Sequence, residues 1–520
     1  MSGTATRWRD DGGLVVFMRN VSTRYVLIVV NALLGVLVLP YNVHHLGVSA
    51  YGVWMLATSI TAYFGVLDLG YGGAVVRFVA EYRARRDARA LNEILSTVFH
   101  VYAAIGLVCY LAAIVAALLL PYLFNLDAQQ AHIARLVLLI TSAQVALYFP
   151  FSVYGGVING FQQYYINNVV GTIANITAAA LNVLVLWLGY GLVELVAITT
   201  LTHTIPLFIY RRNAYKVFPE LSLRRAYFRR DRLRELTGFS VYLAVIDWSG
   251  RLTFATDAFF IGALLNTTAV GVYAVAQRLS DALLRMTAQL HTFLFPAVVA
   301  QAVEGSVEGQ RQLMIKATRF QLAIAVAMCG AVAATGDVLI RAWVGPGSDG
   351  SVAVLRLLAF VVVIRTWMAM PNTVLKGTGH HRFLAIAYVY AALANLLLSI
   401  PGTKMFGIVG CAMATVIPAT ILACGFVFPR ACRVVDLGVW RGYREIVWPA
   451  VWPAFIVAAV LIEVRHMVPQ QLIAALALLA FGGLLYGAIF FSFGLAREER
   501  NWFRSTVNQF WRRTQGWATA

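Results

Sequence analysis

A chain of 520 residues that is 60% hydrophobic and only 12% charged, with a mean hydropathy of +0.74, does not have the composition of a water-soluble globule. Its net charge of +18 would suit nucleic acid, but the basic residues are spread between apolar runs instead of gathered in a soluble module, which argues against that partner. The five cysteines fall in or beside apolar runs without metal-ligand spacing and read as small core residues.

In chain order, the polar segment through Asn20 has no short apolar core with a small-residue cleavage site, so the first span is read as its own insertion signal. A helix needs about 20 mostly apolar residues to cross the hydrocarbon core, because its backbone polar groups must be satisfied internally. About fourteen such spans follow, centred on roughly 22–42, 51–78, 94–120, 132–158, 167–188, 192–210, 238–264, 271–300, 314–340, 352–375, 383–400, 408–429, 446–465 and 471–493. The fold class is therefore an all-α polytopic membrane protein. Pro150 and Pro371 fall inside the fourth and tenth spans, where the missing N–H predicts a kink.

Orientation follows from the basic residues, which short loops retain on the cytoplasmic side. One set of loops carries Arg7, Arg9 and Arg19; Arg83, Arg85, Arg86 and Arg89; the run Arg211 to Arg234; Arg430, Arg433, Arg441 and Arg444; and the tail from Arg497 to Arg513. The alternate loops offer little beyond Arg135, Arg341, Lys404 and Arg465. Both termini are expected in the cytoplasm.

The chain repeats itself at an offset of roughly 220 residues. Leu46 to Trp54 returns as Leu265 to Tyr273; Arg135-Leu136, Pro150, Val153 and Gly156 return as Arg356-Leu357, Pro371, Val374 and Gly377; Gly191, Val193 and Thr199 return as Gly407, Val409 and Thr415. Six spans per copy is an even number, so the copies share one orientation, as in transporters with parallel repeats around one central path. The expected division is an N-terminal six-helix lobe (1–210), a basic cytoplasmic linker (211–236), a second six-helix lobe (237–430), and two additional helices with a basic tail (431–520). The linker reads as a plain positive-inside connection, or its second part, with Tyr227, Phe228, Leu233 and Leu236 among its arginines, as an amphipathic helix against anionic lipid head groups.

Arg19-Asn20, Leu46-Gly47, Tyr51-Gly52-Val53-Trp54, Leu67-Asp68-Leu69-Gly70 and Val76 to Glu81 together resemble the N-terminal part of oligosaccharide-lipid flippases. Asp257, Ile261-Gly262, Val270 to Tyr273, Arg278-Leu279, Trp343-Val344-Gly345 and Pro371 extend the likeness over roughly residues 19–430. These flippases belong to the multidrug/oligosaccharidyl-lipid/polysaccharide exporter superfamily, and the resemblance implies two six-helix lobes around a central cavity. It further implies movement of an undecaprenyl-diphosphate-linked oligosaccharide from the cytoplasmic to the periplasmic leaflet of a bacterial inner membrane, for O-antigen, capsule or exopolysaccharide assembly beside a polysaccharide polymerase. No catalytic residue and no cofactor are expected, beyond coupling to H+ or Na+.

The residues also speak for themselves, since a charge at the bilayer centre costs at least about 2.5–3.5 kcal/mol unless it meets a partner or water. Arg278, Asp281 and Arg285 are spaced i, i+3 and i+7 on one face of the eighth span, and Arg365 lies mid-span in the tenth with no acid on its own helix. A planar guanidinium fork suits a diphosphate, so these residues, with Arg251, Arg24 and Arg77, are the candidate substrate ligands. Asp68 and Asp257 are the candidates for coupling or gating. Structural readings stand beside these: Asp247 with Arg251 and Asp281 with Arg285 as neutralised helix pairs, Arg24, Arg77 and Arg319 snorkelling to the interface, Asp257 as a packing acid. His44-His45 and His380-His381 lack further ligands, so no metal is expected.

Other functions fare worse. A membrane glycosyltransferase or polymerase needs acidic catalytic residues in a large outer loop, whereas Val43 to Ala50 contains no carboxylate. An ATP-driven pump needs a Gly-rich phosphate loop ending in Lys-Ser/Thr, which is missing here. A cation-coupled multidrug exporter of the same superfamily is the nearest rival, but it would favour acids in the membrane, and here arginines outnumber them.

Overall fold

The computed structural model describes residues 14–68, 71–124, 126–232, 245, 248–249, 256–303, 307–345, 349–495 and 500, with 288–303 described for their backbone. Asp247 and Arg251 lie outside the described residues. The described part is helical, with no strand. In chain order the helices are α1 (Leu14–Phe64), α2 (Tyr71–Arg85), α3 (Ala88–Leu123), α4 (Ala128–Gly160), α5 (Tyr164–Trp187), α6 (Leu192–Val217), α7 (256–264), α8 (Thr267–Val303), α9 (Val307–Val344), α10 (Gly350–Gly377), α11 (His381–Ile421), α12 (Phe428–Val434), α13 (Val439–Gly442), α14 (Trp448–Val464) and α15 (Leu472–Ile489). Ten helical stretches among the described residues are long and apolar enough to cross a membrane.

Two of these stretches, Met18–Phe64 with 47 residues and His381–Val434 with 54, are too long for one crossing. Each is two helices joined across a kink at a single glycine, Gly47 (φ 80°) in α1 and Gly407 (φ 60°) in α11, a conformation that glycine adopts without steric cost. The outer loop expected over Val43 to Ala50 is therefore helix apart from Gly47. The second span, in turn, is not continuous: a short 3-10 turn at Gly65–Asp68 separates α1 from α2.

The chain divides into two compact units. Unit one holds the residues up to Val275 together with Tyr388–Thr415; unit two holds Ala276–Ala387 and everything from Val416 onward. In unit one, α2, α3, α4 and α6 bury a core that includes Val79, Leu91, Ile94, Val98, Tyr102, Val157 and Ile158. In unit two, α9 is enclosed: Gly336 meets Leu355 of α10, Gly330 faces Ala454 of α14, and Gly482 of α15 packs against Ala331 and Leu461. The two C-terminal helices thus pack directly on α9.

Proline shapes the ends of those helices. Pro429 and Pro449 cannot donate to the preceding turn, and the chain widens into π-helix at Leu422–Val427 and Tyr443–Val447. The carbonyls released are recaptured: the Tyr443 hydroxyl donates to the Cys424 oxygen at 3.0 Å and Arg319 Nη1 to the Glu445 oxygen at 3.5 Å. Arg319 is buried in that contact, so it does not snorkel to the interface.

The basic linker is a docked strap from Phe218 to Arg229. Phe218 and Leu221 are buried in the core of unit one. Asn92 of α3 donates to the Glu220 oxygen at 2.8 Å and accepts from Ser222 N at 2.8 Å, Ser96 donates to the Ser222 oxygen, and Thr97 accepts from Arg229 N at 3.1 Å. Glu93 gathers Arg89, Arg229 and Arg232 at 3.4–3.9 Å. Between Phe218 and Arg229 only Arg225–Tyr227 makes a helical turn, and polar partners on α3 hold the rest extended; residues 230–232 are helical again, while Leu233 and Leu236, on which the amphipathic-helix reading depends, lie outside the described residues.

Candidate functional site

In unit two, α8 places Arg278, Asp281 and Arg285 along one face as their spacing requires, with both arginines exposed. The Asp281 carboxylate lies within electrostatic reach of Arg285, Arg278 and also Arg365 of α10. The four residues are therefore one cluster, which the sequence spacing could join only three at a time. Thr366, next to Arg365, donates to Thr287 of α8 at 3.1 Å and pins the two helices at this level. Arg365 is the sole exposed residue of α10 between Phe360 and Lys376, while its neighbours Ile364, Thr366, Trp367 and Met368 are buried. Three guanidinium groups and one carboxylate leave two positive charges, a match for a diphosphate diester with one negative charge on each phosphate.

In unit one, Arg24 is exposed on α1 and Arg77 on α2, where Gly73 and Ala80 share its exposed face. The two acids have distinct settings. Asp68 sits at the break between α1 and α2 and accepts a short hydrogen bond from the Tyr102 hydroxyl of α3, which also faces the Asp68 carbonyl oxygen at 3.3 Å. A backbone interruption within a span needs such a donor.

Asp257 of α7 is fully buried. Its carboxylate accepts from Tyr273 of α8 at 2.5 Å and from the Thr415 hydroxyl of α11, 3.3 Å from each oxygen, and Cys411 Sγ lies 3.6 Å away. Asn395 donates to Thr415 at 3.1 Å and closes the network. Among the described residues Asp257 makes no ion pair. Among the described residues two hydroxyls and a thiol, with no fixed cation, contact this carboxylate, and the carboxylate with the Tyr273 and Thr415 hydroxyls offers the oxygen atoms that a proton or a hard cation uses. Tyr102, Tyr273, Asn395 and Thr415 were absent from the sequence-derived site, and Cys411, read there as inert, borders Asp257.

Three further charges named in the sequence, Arg465, Arg341 and Glu194, have structural partners. Arg465 donates to the Ala334 oxygen and meets Asp337 at 3.3 Å, Arg341 pairs with Asp349 at 2.7 Å, and Glu194 caps α6 by accepting from Gly191 N at 3.1 Å.

The described residues thus set an arginine-rich exposed face and a buried acid among helices long and apolar enough to cross a membrane. Residues 17–302, more than half of the sequence, match the family described as polysaccharide biosynthesis protein, and the chain belongs to that family. Among curated proteins it is similar to the probable flippase AglR of Haloferax volcanii, 20% identical over 76% of this chain and 79% of that protein, and to the uncharacterized membrane protein EpsK of Bacillus subtilis, 21% identical over the same shares. Among solved structures its fold resembles the lipid II flippase MurJ in an inward closed conformation, with a TM-score of 0.72 and 13% identity over 91% of this chain and 98% of that one. An inward-facing multidrug resistance MATE transporter follows at 0.59 and 16% identity, covering 79% of this chain and 95% of its own.

Proposed function

We propose that this protein moves an undecaprenyl-diphosphate-linked oligosaccharide from the cytoplasmic to the periplasmic leaflet of a bacterial inner membrane, both termini in the cytoplasm, supplying a surface polysaccharide polymerase. The observation that carries this reading is Arg365, an exposed cation in the middle of an otherwise buried stretch of α10, clustered with Arg278, Asp281 and Arg285. Planar, permanently charged guanidinium groups hold phosphate oxygens bidentately, and Asp281 orients them while leaving a net of two positive charges. A cationic drug would be repelled by the same face, which favours the lipid-linked glycan over a multidrug cargo.

Arg24 and Arg77 add cations to exposed faces of unit one, and Arg251, by its spacing, belongs to the same set. Asp257 couples transport to a H+ or Na+ gradient, its charge changing partner within the Tyr273, Thr415 and Asn395 network, and Asp68 works with Tyr102 at the break between α1 and α2. Reconstitution into vesicles carrying a fluorescent undecaprenyl-diphosphate oligosaccharide in both leaflets tests the reading: a membrane-impermeant quencher or glycosidase should reach the inner-leaflet pool only when protein and gradient are present.

A further inference from the structure

Helix α1 carries two exposed faces of opposite character. At 100° per residue, Val26, Val29, Leu33 and Leu37 lie on one side, each more than half exposed, as a lipid-facing surface should be. Arg24, Asn31 and Gly35, spaced i, i+7 and i+11, lie on roughly the opposite side and are exposed as well. A polar side chain in mid-span facing hydrocarbon is costly, so this second face meets water or a polar ligand. Gly35 has no atom within 4 Å of where a β-carbon would stand, which leaves open space one turn beyond Asn31.

Asn175 of α5 donates to the Asn31 side-chain oxygen at 2.6 Å. That bond uses one donor and one acceptor and leaves the Asn31 amide N–H groups and the Asn175 oxygen with no other hydrogen bond among the described residues. Amide pairs can simply glue helices together in a membrane. Here that task is already met nearer the cytoplasmic end, where Asn20 accepts from Tyr165 N at 2.9 Å and Asn168 donates to Thr23 at 3.2 Å in half-buried contacts. The stripe continues to Asn42, which is buried with its side-chain oxygen lacking a hydrogen-bond partner.

We infer that the Arg24, Asn31 and Gly35 face of α1, with Asn175 of α5, is a carbohydrate-binding face of unit one that takes the hydroxyl groups of the glycan. The inference rests on the lipid-linked glycan reading above. Neutral amides offer both donors and acceptors, as sugar hydroxyls require, and Gly35 admits a ring beside them.

The test compares the parent with an Asn31→Leu, Asn175→Leu double variant, which replaces both partners together and leaves no orphaned amide. Reconstituted protein is titrated with undecaprenyl-diphosphate oligosaccharide and, separately, with undecaprenyl diphosphate lacking sugar. The expected result is at least tenfold weaker binding of the glycosylated lipid, unchanged binding of the bare lipid and unchanged thermal stability, with Asn31→Ser in between. Equal glycolipid affinity in parent and double variant, or parallel loss of both lipids with a fall in stability, would overturn it. A parent that binds both lipids equally overturns the carbohydrate face while the substrate reading stands; a parent that binds neither overturns both.

Discussion

Gly52 and Gly271 occupy equivalent positions in the two copies of the repeat, and each packs against the backbone of the other's helix. A β-carbon on Gly52 would run into the Thr267 carbonyl, and one on Gly271 into the Val48 carbonyl, with Val48 and Thr267 themselves an equivalent pair. Ser49 and Thr267 hydroxyls add a hydrogen bond of 3.0 Å at the same seam. The contact is reciprocal and lies within unit one.

Because small residues let membrane helices approach this closely, Gly52→Val and Gly271→Val should each cost about 1–3 kcal/mol through overpacking, read as a lower melting temperature and lower abundance in detergent. Gly35→Ala, in open space, is the control and should leave both unchanged.

Glu93 holds three arginines, two of them in the linker. Glu93→Ala should raise trypsin cleavage at Arg229 and Arg232 severalfold while α3 stays intact, since Asn92, Ser96 and Thr97 anchor the strap independently. Limited proteolysis followed by mass spectrometry checks this; an unchanged cleavage rate would show that the backbone contacts alone carry the docking.

Asp257→Asn keeps the size of the side chain and an acceptor for Tyr273 but removes the charge. Protein abundance should hold while gradient-driven transport falls at least tenfold and loses its dependence on external pH or Na+. Transport that keeps its ion dependence in this variant would remove Asp257 from coupling.

The loop charges set an orientation. Reporters fused after Ala50, Asp349 and Pro401 should read as external, and those after Arg86, Arg230 and Arg497 as cytoplasmic. An internal Asp349 reporter would break the parallel-repeat account.

Much of this arrangement was legible in the residues alone, because helical periodicity and repetition are local signals. Arg135 and Arg356, matched by sequence, each donate Nε to a carbonyl of the preceding helix, Ala117 at 3.2 Å and Ala333 at 3.0 Å. Thr199 and Thr415, also matched, each hydrogen-bond an asparagine, Asn182 and Asn395. The spacing of Arg278, Asp281 and Arg285 likewise survives in α8. What escaped was long-range: Tyr102 reaches Asp68 across 34 positions and Thr415 reaches Asp257 across 158, and no periodicity encodes either. The docking of the linker is long-range in the same way: its aromatic and basic residues suit a lipid surface as well as they suit α3, and it is Asn92, Ser96 and Thr97, about 130 positions earlier, that hold residues 220–229 on α3.

The most direct measurement is flipping of the undecaprenyl-diphosphate oligosaccharide by reconstituted Arg365→Ala, Arg365→Lys and Arg278→Ala, Arg365→Ala proteins of verified insertion. Losing one desolvated charge contact costs on the order of 2–5 kcal/mol, so Arg365→Ala should flip more than tenfold more slowly, Arg365→Lys should recover part of the rate because charge returns without the bidentate fork, and the double variant should be inactive. Parental rates in a stably inserted double variant would contradict the assignment of this cluster to the diphosphate.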